Sequence, residues 1–231
     1  PIKESRSTKI TLSQWLSFRQ KGQLKKSHLI QYLEGISEAT KLLDISLSAA
    51  AELVHNFKQV AADQTSSKRR TFDLKNYVEE ITSTLLPSIK TRKYSVMLDF
   101  DENIQLDSYP GPLGQIITNM FTNAIHHAFA GRPSGKINMS GTISQNDEII
   151  IIFKDDGCGI PEQDVKKVFD PFFTTRMGAG GTGLGMNVVY NIITNVLGGS
   201  IEIFSTVGEG TQFTIILPKI APASKEDITR T

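Results

Sequence analysis

The chain has 231 residues, which is enough for one large domain or two small ones. Its 25 Lys and Arg residues nearly balance 24 Asp and Glu residues, and this balance argues against a nucleic-acid-binding or membrane-binding surface. The single cysteine, Cys158, excludes an internal disulfide and suits a reducing compartment, and neither a signal peptide nor an apolar run of membrane-spanning length is present.

Residues 1–68 have the apolar pattern of a helical hairpin. A heptad seam consists of Ile36, Thr40, Leu43, Leu47, Ala50, Val54, Phe57 and Ala61. A second apolar helical stretch comes before it, and the Lys-rich segment 21–26 connects the two. Two helices alone cannot bury faces this wide, so we expect the hairpin to pair with a second copy in a dimeric four-helix bundle. The alternative is that the hairpin packs on the rest of its own chain.

Residues 69–220 are predicted to form an α+β domain, joined to the hairpin by a polar and basic hinge at 64–70. The predicted strands are 71–74, 94–100, 104–108, 136–142, 148–153, 200–205 and 211–217, and the predicted helices are 74–90, 114–129, which Pro110-Gly-Pro112 opens, and 188–197. The strands do not alternate strictly with helices, so we expect helices on one face of a mixed sheet. Residues 221–231 are predicted to be a disordered tail.

The helix predicted at 114–129 carries two amide side chains on one face. Asn119 and Asn123 lie four residues apart, followed by His126 and His127. An amide oxygen suits Mg²⁺, which keeps several waters and takes other ligands from substrate phosphates. The alternative is that both are surface polar residues of an amphipathic helix.

Two further motifs have the chemistry of a nucleotide site. Asp155 follows a buried apolar strand and precedes Gly157 and Gly159, so its carboxylate could accept from an exocyclic amine while the glycines admit a flat ring. A glycine-rich loop, 178–185, precedes the helix at 188–197 and could hold phosphates with its N–H groups. The alternatives are a tight turn with solvated aspartates and a plain connector.

Together with a third motif, Phe169-Asp-Pro-Phe172-Phe173-Thr174-Thr175, these segments resemble a known set of boxes. In this order they are similar to the N, G1, F and G2 boxes of the catalytic ATP-binding domain of sensor histidine kinases. That domain belongs to the superfamily of gyrase, Hsp90 and MutL. The resemblance spans 71–218 and includes the closing segment Gly208-Glu-Gly210-Thr211-x-Phe213. It implies an α/β sandwich of the histidine-kinase/gyrase/Hsp90 ATPase type.

The resemblance also implies roles in binding ATP and Mg²⁺. Asn123 would be the Mg²⁺ ligand, with Asn119 as its helical partner, and Asp155 would read adenine. His126 falls at a position of phosphate contact, and His127 at a position of stacking near the nucleotide. The rest of the implied set is Gly157 and Gly159 at the base, Phe172 and Phe173 at the hinge of a short lid (175–180), Gly181, Thr182, Gly183, Leu184 and Gly185 around the triphosphate, and Thr211.

One departure separates this chain from the hydrolysing branches of the superfamily. Gyrase, Hsp90 and MutL have a Glu at the position of Asn119, where a carboxylate can act as general base on water. Asn cannot take that proton. We therefore expect ATP to be held for transfer to an acceptor.

The N-terminal hairpin resembles the dimerisation and phosphotransfer domain of the same kinases, without its acceptor box. No His followed by an acidic residue and a later Pro is present. His55 has Glu52 one helical turn away, and His28 has no acidic neighbour, so neither is a strong phosphoacceptor candidate. The chain opens on Pro1, and we expect the acceptor to lie in a preceding part of a longer protein.

The expected function is that of a protein-histidine kinase in a two-component system. A homodimer would pass phosphate to an aspartate of a response-regulator receiver domain in the cytoplasm of a bacterial cell, without contact to nucleic acid or membrane. Two alternatives stay open: a dimeric nucleotide-binding regulatory module without its own acceptor, and an anti-sigma-type serine kinase.

Overall fold

The computed structural model describes residues 17, 19, 26–27, 29–41, 43, 47, 68–90, 94–174 and 183–223. These residues belong to two compact units, the first with the described residues between 17 and 47 and the second with those between 68 and 223. In the first, every described residue is helical, and 29–41 form one continuous helical segment. Its large apolar side chains are exposed, including the seam residues Leu43 (61%) and Leu47 (67%). The rest of the seam, from Ala50, and both His28 and His55 lie outside the described residues.

The described residues of the second unit form seven strands and four helices, two of which continue into a π-helical turn. The strands are β1 (Arg70–Asp73), β2 (Tyr94–Phe100), β3 (Gln105–Ser108), β4 (Gly135–Ile143), β5 (Glu148–Asp155), β6 (Ser200–Thr206) and β7 (Gly210–Pro218). The longer helices are α1 (Leu74–Lys90), α2 (Pro110–Asn123) with the π-helical turn Ala124–Ala128, and α4 (Gly185–Asn191) with the π-helical turn Ile192–Val196. A single-turn helix, α3 (Glu162–Val165), lies between them.

Five strands form a mixed sheet in the order β2-β4-β5-β7-β6. β2 and β4 are parallel, and all other neighbours are antiparallel. β1 and β3 form a separate antiparallel pair. The α+β class and the mixed sheet predicted from the sequence are confirmed, and the separate strand pair is an addition to them.

The core lies between the main sheet and the helices. Alternate residues of each central strand are buried, as expected for a sheet with one covered face. α2 buries one side of its cylinder, including Ile117 and Phe121, and the ring of Phe121 meets that of Phe153 edge-on at 5.3 Å. Each such side chain contributes about 1.5–3 kcal/mol by leaving water. This packing fixes the orientation of α2, and with it the positions of its polar residues.

The helix predicted to open at Pro110 and to run to residue 129 starts as expected and differs from the observed one at its end. Pro110 starts α2, because proline at a first helical turn loses no hydrogen bond there. After Asn123 the helix widens: the N–H of Phe129 donates to the carbonyl of Ala124, five residues earlier. Leu197 donates to Ile192 in the same way. Phe129 and Leu197 are each only 1% exposed, so burial of a large apolar side chain follows each wide turn.

The tail begins later than residue 221. Ala221 is 2% exposed, and its N–H donates to the carbonyl of Asp107 at 2.9 Å. The hydroxyl of Tyr109 donates to the carbonyl of Pro222. The disorder predicted from residue 221 is therefore wrong for 221 and 222. The polar composition of the tail suggested disorder, whereas hydrogen bonds to backbone carbonyls hold this part of it. Residues 224–231 lie outside the description.

Among the described helices, none combines the length and the apolar character that crossing a membrane requires.

Candidate functional site

The end of α2 and the start of α4 bring distant parts of the sequence together. Asn119 donates a hydrogen bond from Nδ2 to the carbonyl of Gly185 at 3.4 Å. A methyl group added to Gly185 would lie 3.6 Å from both Oδ1 and Nδ2 of Asn123. Both predicted amides therefore lie beside the glycine that begins α4. The helical spacing of four, which places them on one face, is what makes this convergence achievable.

Asn123 has an unusual environment for a polar side chain. Its Nδ2 atom is buried and has no hydrogen-bond partner among the described residues. A buried donor without a partner costs about 1–3 kcal/mol. A water molecule or a ligand group such as a phosphate oxygen could complete the bonding of this donor.

Asp155 ends β5 and is 3% exposed. Its Oδ1 accepts the N–H of Gly157 at 2.8 Å, and the N–H of Thr211 also stabilises the carboxylate. Burial outweighs these two bonds and raises the pKa of Asp155 from its usual 3.8 to about 6. The sequence places Asp155 just after the strand, whereas the structure makes it the last strand residue, paired with Ile137 and Thr211.

The two glycines after Asp155 are required by contacts within the protein. A methyl group on Gly157 would clash with Ala128 of the π-helical turn. Gly159 has φ of +68°, and a methyl group there would meet the Thr206 carbonyl. The loop is thus clamped between the end of α2 and the β6–β7 turn, where Gly208 donates to the Cys158 carbonyl. Contact of either glycine with a base stays a prediction.

The third motif contains a strained residue. Phe172 has φ of +66°, a left-handed conformation that costs a bulky side chain of order 1–3 kcal/mol, and its side chain is 56% exposed. Gly183, with φ of +69°, packs on the Phe172–Phe173 backbone, where a methyl group would clash. Leu184 is buried and precedes α4. The predicted lid, Gly181 and Thr182 lie outside the described residues.

His126 and His127 lie in the π-helical turn directly after Asn123. His126 is exposed and His127 is half-buried. Both are therefore close in sequence and space to the end of α2, while contact of either with a nucleotide stays a prediction. Thr211 is 5% exposed and lies opposite Asp155 on β7.

Ser205 is not among the residues predicted from the sequence, and the structure places it beside Thr211. Its Oγ lies 2.9 Å from Oγ1 of Thr211 and accepts the N–H of Ile160, also at 2.9 Å. In the sequence, Ser205 is only one polar residue of a strand in which apolar and polar residues alternate. Its significance arises from the pairing of β6 with β7, which short-range patterns do not encode.

The residues present fit Mg²⁺ held mainly through a nucleotide. Among the described residues, no three His, Cys, Asp or Glu side chains group together as a metal cage would require. Asn123 offers one amide oxygen beside its unpartnered donor. That set suits an ion whose other ligands are phosphate oxygens and water.

The titration of Asp155 predicts a pH effect on folding. The folded chain holds this proton more tightly than the unfolded chain, so the free energy of unfolding falls as pH rises from 3.8 to about 6. The loss is up to about 3 kcal/mol relative to an Asp155→Asn variant, which has no proton to lose. Urea unfolding of both chains at about pH 4 and about pH 7 measures it. An equal pH dependence in the two chains would contradict the assignment.

Comparison with known proteins agrees with this geometry. Residues 109–221 match the family model described as histidine kinase-, DNA gyrase B- and HSP90-like ATPase. The sensor histidine kinase ZraS of Salmonella typhimurium is 35% identical over 153 residues, which cover 66% of this chain and 32% of ZraS. The sensor histidine kinase RcsC of Escherichia coli is 27% identical over 194 residues, covering 80% of this chain and 20% of RcsC.

A solved structure is similar over the same region. The nucleotide-free catalytic domain of the histidine kinase ThkA superposes with a TM-score of 0.59 at 25% identity. The match covers 66% of this chain and 97% of that domain. The match thus includes nearly all of the ThkA domain, while this chain spans about a third or less of the length of the curated relatives.

Proposed function

Because the chain belongs to the sensor histidine kinases and carries their GHKL-type ATPase domain, we propose that it binds Mg²⁺-ATP and transfers the γ-phosphate to a histidine. The observation that carries the proposal is the buried, unpartnered amide of Asn123 beside Gly185. Among the described residues, no group of the domain accepts a hydrogen bond from this amide. A triphosphate and its metal would give both ends of that amide a partner.

The nucleotide would extend from Asp155 to Asn123. The base lies at the Asp155 end, where a carboxylate that accepts N–H groups can also accept from an exocyclic amine. Asn119, Asn123 and the start of α4 receive the phosphates, with His126 and His127 beside them. Gly181, Thr182, Gly183, Leu184 and Gly185 form the phosphate loop in this proposal, and Phe172 and Phe173 form its hinge. Mg²⁺, when bound at Asn123, neutralises charge on the phosphates.

The described residues favour transfer over hydrolysis. Asn119 uses its Nδ2 to bond the Gly185 carbonyl, and an amide at this position cannot accept a proton from water. The residue therefore positions α4 against α2 without activating a nucleophile. The acceptor's own surroundings must supply the base for phosphoryl transfer.

We propose dimerisation through the N-terminal helical region. Its described apolar side chains, among them Leu33, Ile36, Leu43 and Leu47, are exposed. A second copy would bury them in a four-helix bundle that carries the acceptor histidine. From there the phosphate would pass to an aspartate of a receiver domain in the cytoplasm.

Incubation of the chain with γ-labelled ATP and Mg²⁺ tests the proposal. We expect ATP binding by calorimetry and, because the acceptor is expected outside this chain, acid-labile label on a histidine of a bundle domain supplied in trans, mapped by mass spectrometry. Label on His28 or His55 would place the acceptor in this chain. The Asn123→Ala variant is the matched control and should transfer no label.

Three outcomes would count against histidine-kinase activity. Acid-stable label on serine would indicate the serine-kinase alternative. ATP binding without any transfer, including to a histidine-bearing bundle domain supplied in trans, would favour a nucleotide-binding regulatory module. Absence of ATP binding would reject the kinase proposal and the regulatory-module alternative together.

A further inference from the structure

Ser205 joins three segments around Asp155 through one hydroxyl group. Its Oγ lies 2.9 Å from the N–H nitrogen of Ile160, 2.9 Å from the carbonyl oxygen of Gly210 and 2.9 Å from Oγ1 of Thr211. Ile160 follows the clamped loop, and Gly210 and Thr211 begin β7. The side chain is half-buried on β6.

Counting hydrogens fixes the direction of each bond. The Gly210 carbonyl can only accept, so the single hydroxyl hydrogen of Ser205 must go to it. The Ile160 N–H occupies one lone pair of Ser205. The remaining lone pair must then accept the hydroxyl hydrogen of Thr211. This is the only arrangement in which all three contacts are hydrogen bonds.

These bond directions determine what the hydroxyl group of Thr211 can offer to a ligand. With its hydroxyl hydrogen directed at Ser205, Oγ1 of Thr211 offers only lone pairs to any other group. Thr211 is the register partner of Asp155, so the two side chains lie on the same face of neighbouring strands. An ionised carboxylate is also acceptor-only. The protein thus presents two acceptors side by side.

We propose that Ser205 is a positioning residue that keeps the Thr211 hydroxyl an acceptor, so that the base site selects a purine with an amino group at position 6 over one with an oxo group. The inference rests on the proposed ATP site. A 6-amino group donates to both acceptors, directly or through water. A 6-oxo group in the same place meets lone pairs on both sides, so the site binds it less tightly.

The test compares ATP with inosine triphosphate, whose base carries an oxo group in place of the 6-amino group. Dissociation constants of both nucleotides with Mg²⁺ are measured by calorimetry on the full chain. In Ser205→Ala, Thr211 can rotate and donate, so the preference for ATP should fall by about tenfold. Ser205→Thr retains the hydroxyl and should restore it. Ser200→Ala, at the exposed start of β6, is the matched control with unchanged preference.

A second variant guards against loss of folding. Thr211→Val keeps the shape of the side chain and removes its hydroxyl, so it should lower the preference even if Ser205→Ala is unstable. A purely structural role would weaken both nucleotides by the same factor, and that result in either variant would overturn the inference. If the unmodified chain bound neither nucleotide, the proposed function itself would fail first.

Discussion

Asp155→Asn is expected to lower the affinity for ATP by about a hundredfold, close to 3 kcal/mol. The N–H groups of Gly157 and Thr211 both act on the carboxyl group. An amide has one oxygen for these two donors, so its NH₂ group is left facing the base. The exocyclic amine of adenine would then meet a donor. Calorimetric titration with Mg²⁺-ATP measures the loss.

The neighbouring aspartate provides the control for this variant. Asp156 is half-buried, and its Oδ1 accepts the N–H of Lys136. An amide oxygen can replace that acceptor, so Asp156→Asn should bind ATP as the unmodified chain does. Equal affinity of the Asp155 and Asp156 variants would remove Asp155 from the base site. Retained folding of Asp155→Asn, checked by thermal unfolding, would separate lost binding from lost structure.

The strands of the sheet could be predicted because the residue patterns that indicate them are local in the sequence. Alternating apolar residues and Gly- or Pro-containing breaks define β4, β5 and β7 to within one or two residues. The π-helical turns could not be predicted in this way. A run such as Ala124–Ala128 has the same pattern in an α-helix, and only burial of Phe129 in the assembled core decides the wider turn.

The residues of the site divide in the same way, into those that a local sequence pattern indicates and those that it does not. The amides of Asn119 and Asn123 were found because one helix contains both, and Asp155 because a buried strand ends in a carboxylate. Ser205 was not found, and Phe172 was predicted as a hinge residue without its left-handed backbone, since neither feature has a local signal. The contacts that explain Ser205 come from strand pairing, and those at Phe172 come from the approach of Gly183. Such long-range contacts exist only after the chain has folded.

Asn123→Ala is expected to abolish the contribution of Mg²⁺ to ATP binding while leaving the fold intact. The amide of Asn123 is the one protein ligand proposed for the ion, so its loss should reduce the ATP affinity with Mg²⁺ to the value without it. We expect a fall of roughly a hundredfold in transfer rate. Calorimetry with and without Mg²⁺, together with the labelling assay, gives both quantities.

The stability of this variant distinguishes a binding residue from a structural one. Removing a buried donor that has no partner among the described residues removes its desolvation cost, about 1–3 kcal/mol, against a small loss of packing. The midpoint of thermal unfolding should therefore stay the same or rise, as it should for Thr122→Ala, the exposed neighbour on α2. A marked fall would show that Asn123 serves the packing of α2 against α4. A Mg²⁺ effect of unchanged size would place the ion elsewhere. Such a polar group would destabilise the domain without nucleotide and would be needed only when nucleotide binds. These are the energetics expected of a ligand site, where binding is gained at a cost in folding stability.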